Sequence, residues 1–349
     1  IYGMSIPITK HNFLVRHVSE LPTVIPEAFR IAMSGRPGPV LVDIPKDVQT
    51  AVIDVEDLPE PARPAAAAVI DLGAVEIAAK MINEAEQPVL YLGGGVVHSG
   101  AAHQAVTLAE QGGLPTTMTL MALGAMPTDH PLSIGMLGMH GARYTNFVLQ
   151  EADLLICVGA RFDDRAIGKT AEFCPKAKII HIDIDPSELH KIKTAHVAIA
   201  GDVATVLDAL LPRVKVMLRK RWLSHVEGLR SRFPLQMPDR ENPRSHYGLI
   251  HAVAEALDDD AVITTDVGQH QMWVAQAYPF RRSRQWLTSG GLGTMGFGMP
   301  VAIGAALADR ARTVVCFSGD GSLQMNIQEF GTLADENLNV KIVLMNNNS

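Results

Sequence analysis

Apolar residues follow two rhythms along this chain. Short continuous runs at Val40–Ile44, Val89–Leu92, Thr116–Met118, Leu154–Val158, Lys178–Ile182, Ala261–Thr265, Val314–Phe317 and Val340–Met345 predict strands covered on both faces. Between them, apolar positions recur every three to four residues. That spacing predicts helices at Pro26–Ser34, Ala74–Glu84, near Ala101–Glu110, Tyr247–Leu257 and Pro300–Ala308. Strand and helix alternate, which predicts an α/β fold of parallel sheets with helices on both faces.

Breaks in the pattern divide the chain. Residues 1–57 read as the C-terminal end of an α/β domain: a helix, the turn Gly35-Arg36-Pro37-Gly38-Pro39, then a strand ending at Pro45-Lys46-Asp47. Residues 58–71 form a linker, because prolines at the density of Leu58–Ala66 continue neither helix nor central strand. Residues 72–212 form a central domain. Residues 213–245 hold a basic helical stretch, Val214–Phe233, and a proline-rich loop, and residues 246–349 make a last domain. The chain starts at Ile1 and stops just after an apolar strand, so a piece of a longer protein is expected.

The end of the chain carries the clearest chemistry. Val314–Phe317 leads into Gly319-Asp320-Gly321, and Val340–Met345 leads into Asn346-Asn347-Asn348. Between them Leu323, Ile327, Phe330, Leu333 and Ala334 share one helical face, as a crossover packed on the sheet would require. If the two strands are parallel neighbours, Asp320 and Asn347 lie at one carboxyl edge, where α/β sheets bind ligands. The glycines let the backbone approach a ligand closely, and the helix that follows offers N–H groups to an anion. Asp320, Asn347 and the Ser349 carbonyl supply oxygen ligands suited to Mg²⁺ held against a diphosphate. A capped strand-end turn is the plainer alternative.

Composition narrows the rest. The 349 residues are 47% hydrophobic and 19% charged, with net charge −7, which argues against a nucleic-acid partner. No apolar run reaches membrane-spanning length. Three cysteines without a CxxC pair read as buried free thiols in a reducing cytosol. Gly93-Gly94-Gly95 follows a strand, but His98 stands where a dinucleotide fingerprint needs glycine, so that fingerprint is weak.

The spacing of GDG, 24 residues and NNN resembles the thiamin-diphosphate binding motif. Further runs extend the likeness over essentially the whole chain: ITKHNFLVRHV, SGRPGPVLVDIPKDVQTA, LYLGGGVV, TTMTLMALG, GMLGMHG, VGARFDDR and SGGLGTMGFG. Together they resemble the catalytic subunits of acetolactate synthases (acetohydroxyacid synthases). The resemblance implies the thiamin-diphosphate-binding fold: a partial N-terminal domain, a complete middle FAD-binding domain and a partial diphosphate-binding domain.

It also implies decarboxylation of pyruvate and carboligation to a second 2-ketoacid, pyruvate or 2-ketobutyrate, in branched-chain amino-acid biosynthesis. Thiamin diphosphate would meet Gly268, Gln269, His270, Gly293, Met295, Gly319, Asp320, Gly321, Ser322 and Asn347, with Met295 enforcing a bent cofactor. Mg²⁺ would take Asp320, Asn347 and Ser349. FAD, without a net redox role, would meet Arg36, Gly93, Gly94, Gly95, Thr119, Leu120, Met121, His140, Gly159, Arg161, Asp183 and Asp202.

Arg165 would grip the carboxylate of the second ketoacid, with Lys46 and Met139 lining the substrate channel. Plainer roles stay open at several positions: core packing for Met295, helix capping for His270 and Asp202, a pair with Asp163 for Arg161, and a solvated loop for Lys46. The family's activating glutamate would precede Ile1, so no catalytic acid–base is assigned, and these residues alone are expected to be inactive. The resemblance further implies a homodimer or homotetramer, a regulatory small subunit and a bacterial-type cytoplasmic location. Glyoxylate carboligase, pyruvate oxidase and a non-catalytic nucleotide-binding module are the alternatives.

Overall fold

The computed structural model describes the chain apart from residues 56–58, 64, 66, 67, 348 and 349. Its contacts divide it into two units, Ile1–Val69 and the remainder from Ile70 onward. In the first unit, strands β1 (His11–Leu14) and β2 (Val40–Asp43) pair in parallel from His11↔Val40 to Leu14↔Asp43. The crossover helix Leu21–Met33 begins earlier than the expected Pro26, because Pro22 already occupies its first turn. Pro26 lies inside the helix and removes the one N–H that would have met the residue-22 carbonyl.

The second unit holds two parallel sheets. The larger contains β3 (Pro88–Leu92), β4 (Thr116–Met118), β5 (Ser133–Met136), β6 (Leu154–Val158), β7 (Lys178–Asp183) and β8 (Val197–Ala200). Their order is β5-β4-β3-β6-β7-β8, with every neighbouring pair parallel. Renumbered from the first strand, this is the 3-2-1-4-5-6 order of doubly wound dinucleotide-binding sheets. Helices close both faces. Leu72–Glu84 buries Val75, Ala78, Ala79 and Ile82 at helical spacing, and Asp71 caps it by accepting from the Ala74 N–H at 3.1 Å.

The basic stretch Val214–Phe233 is helical only over Lys220–Arg232. Before it, Arg219 adopts a left-handed backbone (φ 40°). Its guanidinium donates to the Gly112 carbonyl at 2.7 Å and the Ile82 carbonyl at 2.5 Å, closing the ends of two helices of the larger sheet. Trp222 Nε1 donates to the Pro88 carbonyl at 3.0 Å. The segment therefore packs on the larger sheet.

The second sheet contains β9 (Val262–Thr265), β10 (Trp286–Thr288), β11 (Val314–Ser318) and β12 (Val340–Leu344), in the order β10-β9-β11-β12. Its core is continuous with that of the larger sheet, where Ala122 and Met126 join one cluster with Phe280 and Trp286.

The crossover between β11 and β12 corrects one expectation. It is two short helices, Asp320–Met325 and Glu329–Asp335. Ile327 and Phe330 are 55% and 44% exposed instead of lying buried on the sheet. The break falls where Asn326 turns its side-chain amide to the Gly296 carbonyl.

All three cysteines are free and buried. Burial pushes the Cys174 thiol up to about 12 and the Cys316 thiol up to about 11, so neither is a thiolate near neutrality. Among the described residues, no helix is long and apolar enough to cross a membrane.

Candidate functional site

In open α/β sheets a ligand crevice forms where two neighbouring strands send their connections to opposite faces. In the larger sheet that point lies between β3 and β6. Gly93 donates to the Val158 carbonyl and Gly95 to the Gly159 carbonyl, each at 2.9 Å. A Cβ on Gly93 would collide with the Gly159 carbonyl oxygen, and one on Gly95 would stand 2.6 Å from Gly159 Cα. Gly159 is itself left-handed (φ 57°). Two loop backbones thus lie in direct contact, which only glycine permits.

Eleven of the twelve residues expected to touch flavin line this carboxyl edge. Gly93–Gly95 follow β3, and Thr119–Met121 follow β4. His140 comes after β5, Gly159 and Arg161 after β6, Asp183 ends β7, and Asp202 comes after β8. The Thr119 hydroxyl is buried and finds no hydrogen-bond partner among the described residues. Asp202 caps the helix Val203–Leu210 by accepting from the Thr205 N–H at 3.1 Å. Asp163 caps a short helix through the Arg165 and Ala166 N–H groups; among the described residues no Asp163–Arg161 ion pair forms. The twelfth residue, Arg36, belongs to the first unit, in the turn before β2, where its carbonyl accepts from Lys10 Nζ at 3.1 Å.

Two expected substrate residues meet. The Met139 N–H donates to the Arg165 carbonyl at 3.0 Å. Both side chains are exposed; among the described residues the Arg165 guanidinium pairs only with Asp164, at 3.6 Å. Lys46 opens the helix Lys46–Thr50 of the first unit and is exposed.

The same edge reaches toward the second sheet. Met121 and Leu120 pack on Gly290, where an added Cβ would stand 2.5 Å from the Met121 sulfur. Gln276 donates to the His140 carbonyl at 2.8 Å and accepts from the Tyr247 hydroxyl at 2.9 Å.

In the second sheet the switch point lies between β9 and β11. The pairings Thr265↔Phe317 and Ser318↔Leu344 put the ends of β9, β11 and β12 side by side. The loops that follow therefore converge. Asn347 donates to the Gln269 side chain at 3.2 Å, across the end of β11. The Ser322 hydroxyl donates to the Val267 carbonyl at 3.0 Å. A Cβ on Gly268 or Gly319 would stand 3.0 Å or 3.1 Å from His270 Nδ1, so both glycines make room for this ring.

His270 Nε2 is buried with no partner among the described residues. Burial pushes the His270 pKa down, while the Asp266 and Asp320 charges pull it back up. Asp320 is exposed, the first residue of its helix. Met295 reaches over Gly321, where a Cβ would lie 3.9 Å from its methyl group, and Gly293 is left-handed (φ 77°). Ser349 lies outside the described residues. The other residues expected to hold the diphosphate and its cation are thus gathered at one sheet edge.

Two participants carried no sequence signal. Asp266, at the end of β9, is 1% exposed and accepts from several backbone N–H groups. Asn326 binds the glycine loop from the far end of the Asp320 helix. Their partners are distant in sequence, and only the glycine spacing of 289–298 hinted that something must hold that loop.

The chain matches the thiamine pyrophosphate enzyme central domain over residues 75–210 and the thiamine pyrophosphate enzyme C-terminal TPP-binding domain over 266–349. It is 64% identical to the acetolactate synthase isozyme 1 large subunit of Escherichia coli, over 99% of this chain and 61% of that protein. It is 46% identical to the isozyme 2 large subunit of the same organism, over 99% of this chain and 62% of that protein. It is 44% identical to the chloroplastic acetolactate synthase 1 of Zea mays, over 97% and 54%. The chain therefore spans about three fifths of the length of the two bacterial relatives.

Proposed function

Since the chain belongs to the thiamine pyrophosphate enzymes, among the acetolactate synthase large subunits, we propose that the enzyme it forms part of decarboxylates pyruvate and joins the product to a second 2-ketoacid. The observation that carries this reading is the convergence of Gln269, His270, Gly319, Asp320 and Asn347 at the ends of three adjacent strands. Bound thiamin diphosphate supplies the carbanion chemistry. The protein's share is to hold the cofactor, orient the substrates and keep water out.

The donor set fits a magnesium diphosphate. Asp320 and Asn347 offer two oxygens, and Mg²⁺ completes its octahedron with phosphate and water. Among the described residues there is no cluster of three His, Cys, Asp or Glu that would suit a softer metal. The unpartnered His270 Nε2 supports a polar ligand beside it. Met295, half exposed above Gly321, gives the cofactor an apolar support.

FAD is the ligand proposed for the larger sheet, across its switch point. The strand order and the unpartnered Thr119 hydroxyl support it. The guanidinium of Arg165, exposed and only loosely paired with Asp164 at 3.6 Å, can take a substrate carboxylate through two parallel hydrogen bonds, and its backbone tie to Met139 fixes where it starts from. The names of the bacterial relatives, which are large subunits, support a small-subunit partner; a homo-oligomer and a cytoplasmic location complete the proposal.

The test is an assay of the full-length enzyme with pyruvate or glyoxylate as sole substrate. Acetolactate from pyruvate, dependent on thiamin diphosphate and Mg²⁺ with the flavin staying oxidised, is the expected result. Turnover of glyoxylate alone, or reduction of the flavin during turnover, would overturn it.

A further inference from the structure

Asp266 joins three chain segments that are remote in sequence. Its Oδ1 accepts from the Val267 N–H at 3.0 Å and the Gly296 N–H at 2.7 Å. Its Oδ2 accepts from the Gly298 N–H at 3.2 Å and lies 3.5 Å from the Ser318 hydroxyl, at the end of β11. A buried carboxylate with several N–H donors holds them with charge-assisted strength.

The contact with Gly298 alone is ordinary helix capping, because Gly298 opens the helix Gly298–Ala308 and its N-cap residue, Phe297, has no capping side chain. The shortest bond goes elsewhere, to the N–H of Gly296. That N–H belongs to the peptide bond directly after Met295.

The other side of the same residue is held as well. The Gly296 carbonyl accepts from Asn326 Nδ2 at 2.5 Å. Gly296 is left-handed (φ 87°), and a Cβ there would stand 2.7 Å from that amide nitrogen. Asn326 ends the helix that Asp320 begins. Asp266, Gly296 and Asn326 therefore form a chain of hydrogen bonds from the tip of β9, through the residue after Met295, to the helix that carries Asp320.

We propose that Asp266 and Asn326 are positioning residues, clamping Gly296 so that Met295 and Asp320 are set at a fixed separation before the cofactor arrives. The proposal rests on the reading of this edge as the thiamin-diphosphate site. Neither residue touches reacting atoms; they remove the freedom of the glycine loop in advance, which lowers the ordering cost of binding.

The experiment uses the full-length enzyme and its Asp266→Asn and Asn326→Ala variants. Amide hydrogen exchange at Gly296 is read without thiamin diphosphate. Activation by thiamin diphosphate, flavin content and melting temperature are read in parallel. Loss of the charged acceptor in Asp266→Asn should speed Gly296 exchange and raise the half-saturating thiamin diphosphate concentration by about tenfold; loss of the neutral amide donor to the Gly296 carbonyl in Asn326→Ala should speed exchange less and raise it by about threefold. Flavin content should hold, and saturating cofactor should restore kcat to near the parent value.

Gly296 exchange and half-saturation within about twofold of the parent in both variants would reduce Asp266 to a helix cap and overturn the clamp. If Asp266→Asn does not fold, Asn326→Ala decides. Flavin loss in Asn326→Ala would also overturn the clamp, since a local device leaves the larger sheet intact. A parent enzyme with no saturable response to thiamin diphosphate would instead sink the functional reading, while the exchange data would still report on the clamp.

Discussion

Two switch points in this molecule solve one geometric problem in different ways. Between β3 and β6 the loops touch backbone to backbone, with Gly93, Gly95 and Gly159 interlocked. Between β9 and β11 they are spread by a side chain, because Gly268 and Gly319 flank the His270 ring and the Asp266 carboxylate lies behind. The first edge is close-packed, because nothing larger than glycine fits there. The second is a polar assembly whose shape depends on a few hydrogen bonds. The contrast teaches that glycine after a strand carries two meanings: close packing of main chain in one place, room for a functional side chain in the other.

The comparison breaks most severely at the first edge. Gly93→Ala adds a methyl group where the Gly159 carbonyl stands, and overpacking of this kind costs about 1–3 kcal/mol, more where the backbone cannot shift. The full-length variant should lose flavin and melt several degrees lower; retention of both would refute the interlocked loops.

Next comes Asp320→Ala at the second edge. The side chain is exposed, so stability should hold within about 0.5 kcal/mol. Affinity for thiamin diphosphate with Mg²⁺ should fall by roughly a hundredfold, the order expected for losing a charged ligand. Equal damage to flavin content, read by absorbance, would merge the two edges and remove the distinction.

Arg165→Lys should act more mildly. It keeps the charge but not the paired geometry, so the KM of the second ketoacid should rise about tenfold with little change in melting. An unchanged KM would take Arg165 out of substrate recognition.

The smallest effect is one of pH. Burial depresses the pKa of His270 at the second edge and of His181 beneath the first. Both prefer the neutral ring in the folded state. Stability is therefore full above the unfolded value of about 6.5 and is lost as pH falls below it, toward each depressed folded value. Melting should be flat from pH 7 to 8 and drop by a few degrees by pH 5.5. The drop should shrink in His181→Gln; a steeper drop in that variant would contradict the assignment.

Much of this was legible beforehand. Long apolar strands such as Leu154–Val158 matched because burial on both faces leaves an unbroken run. The four strands that escaped, His11–Leu14, Ser133–Met136, Val197–Ala200 and Trp286–Thr288, have only three or four residues; at that length the pattern is marginal, and it registered for Thr116–Met118 but not for these.

The glycine fingerprint is incomplete for a specific reason. His98 ends a five-residue helix, and the close backbone packing at this edge comes instead from Gly159, in the loop after β6. At the second edge, residues next to the strand ends were readable, because register brings them together. Asp266 and Asn326 were not, because their partners are set by the tertiary fold.

The most direct measurement is a calorimetric titration of thiamin diphosphate into the full-length flavoprotein, parent and Asp320→Ala, with Mg²⁺ or with a chelator. Tight binding is predicted only in the parent with Mg²⁺, with affinity lower by roughly a hundredfold in Asp320→Ala, while flavin stays bound in every sample. Binding that survives both the chelator and Asp320→Ala would contradict a cation–diphosphate site at the ends of β9, β11 and β12.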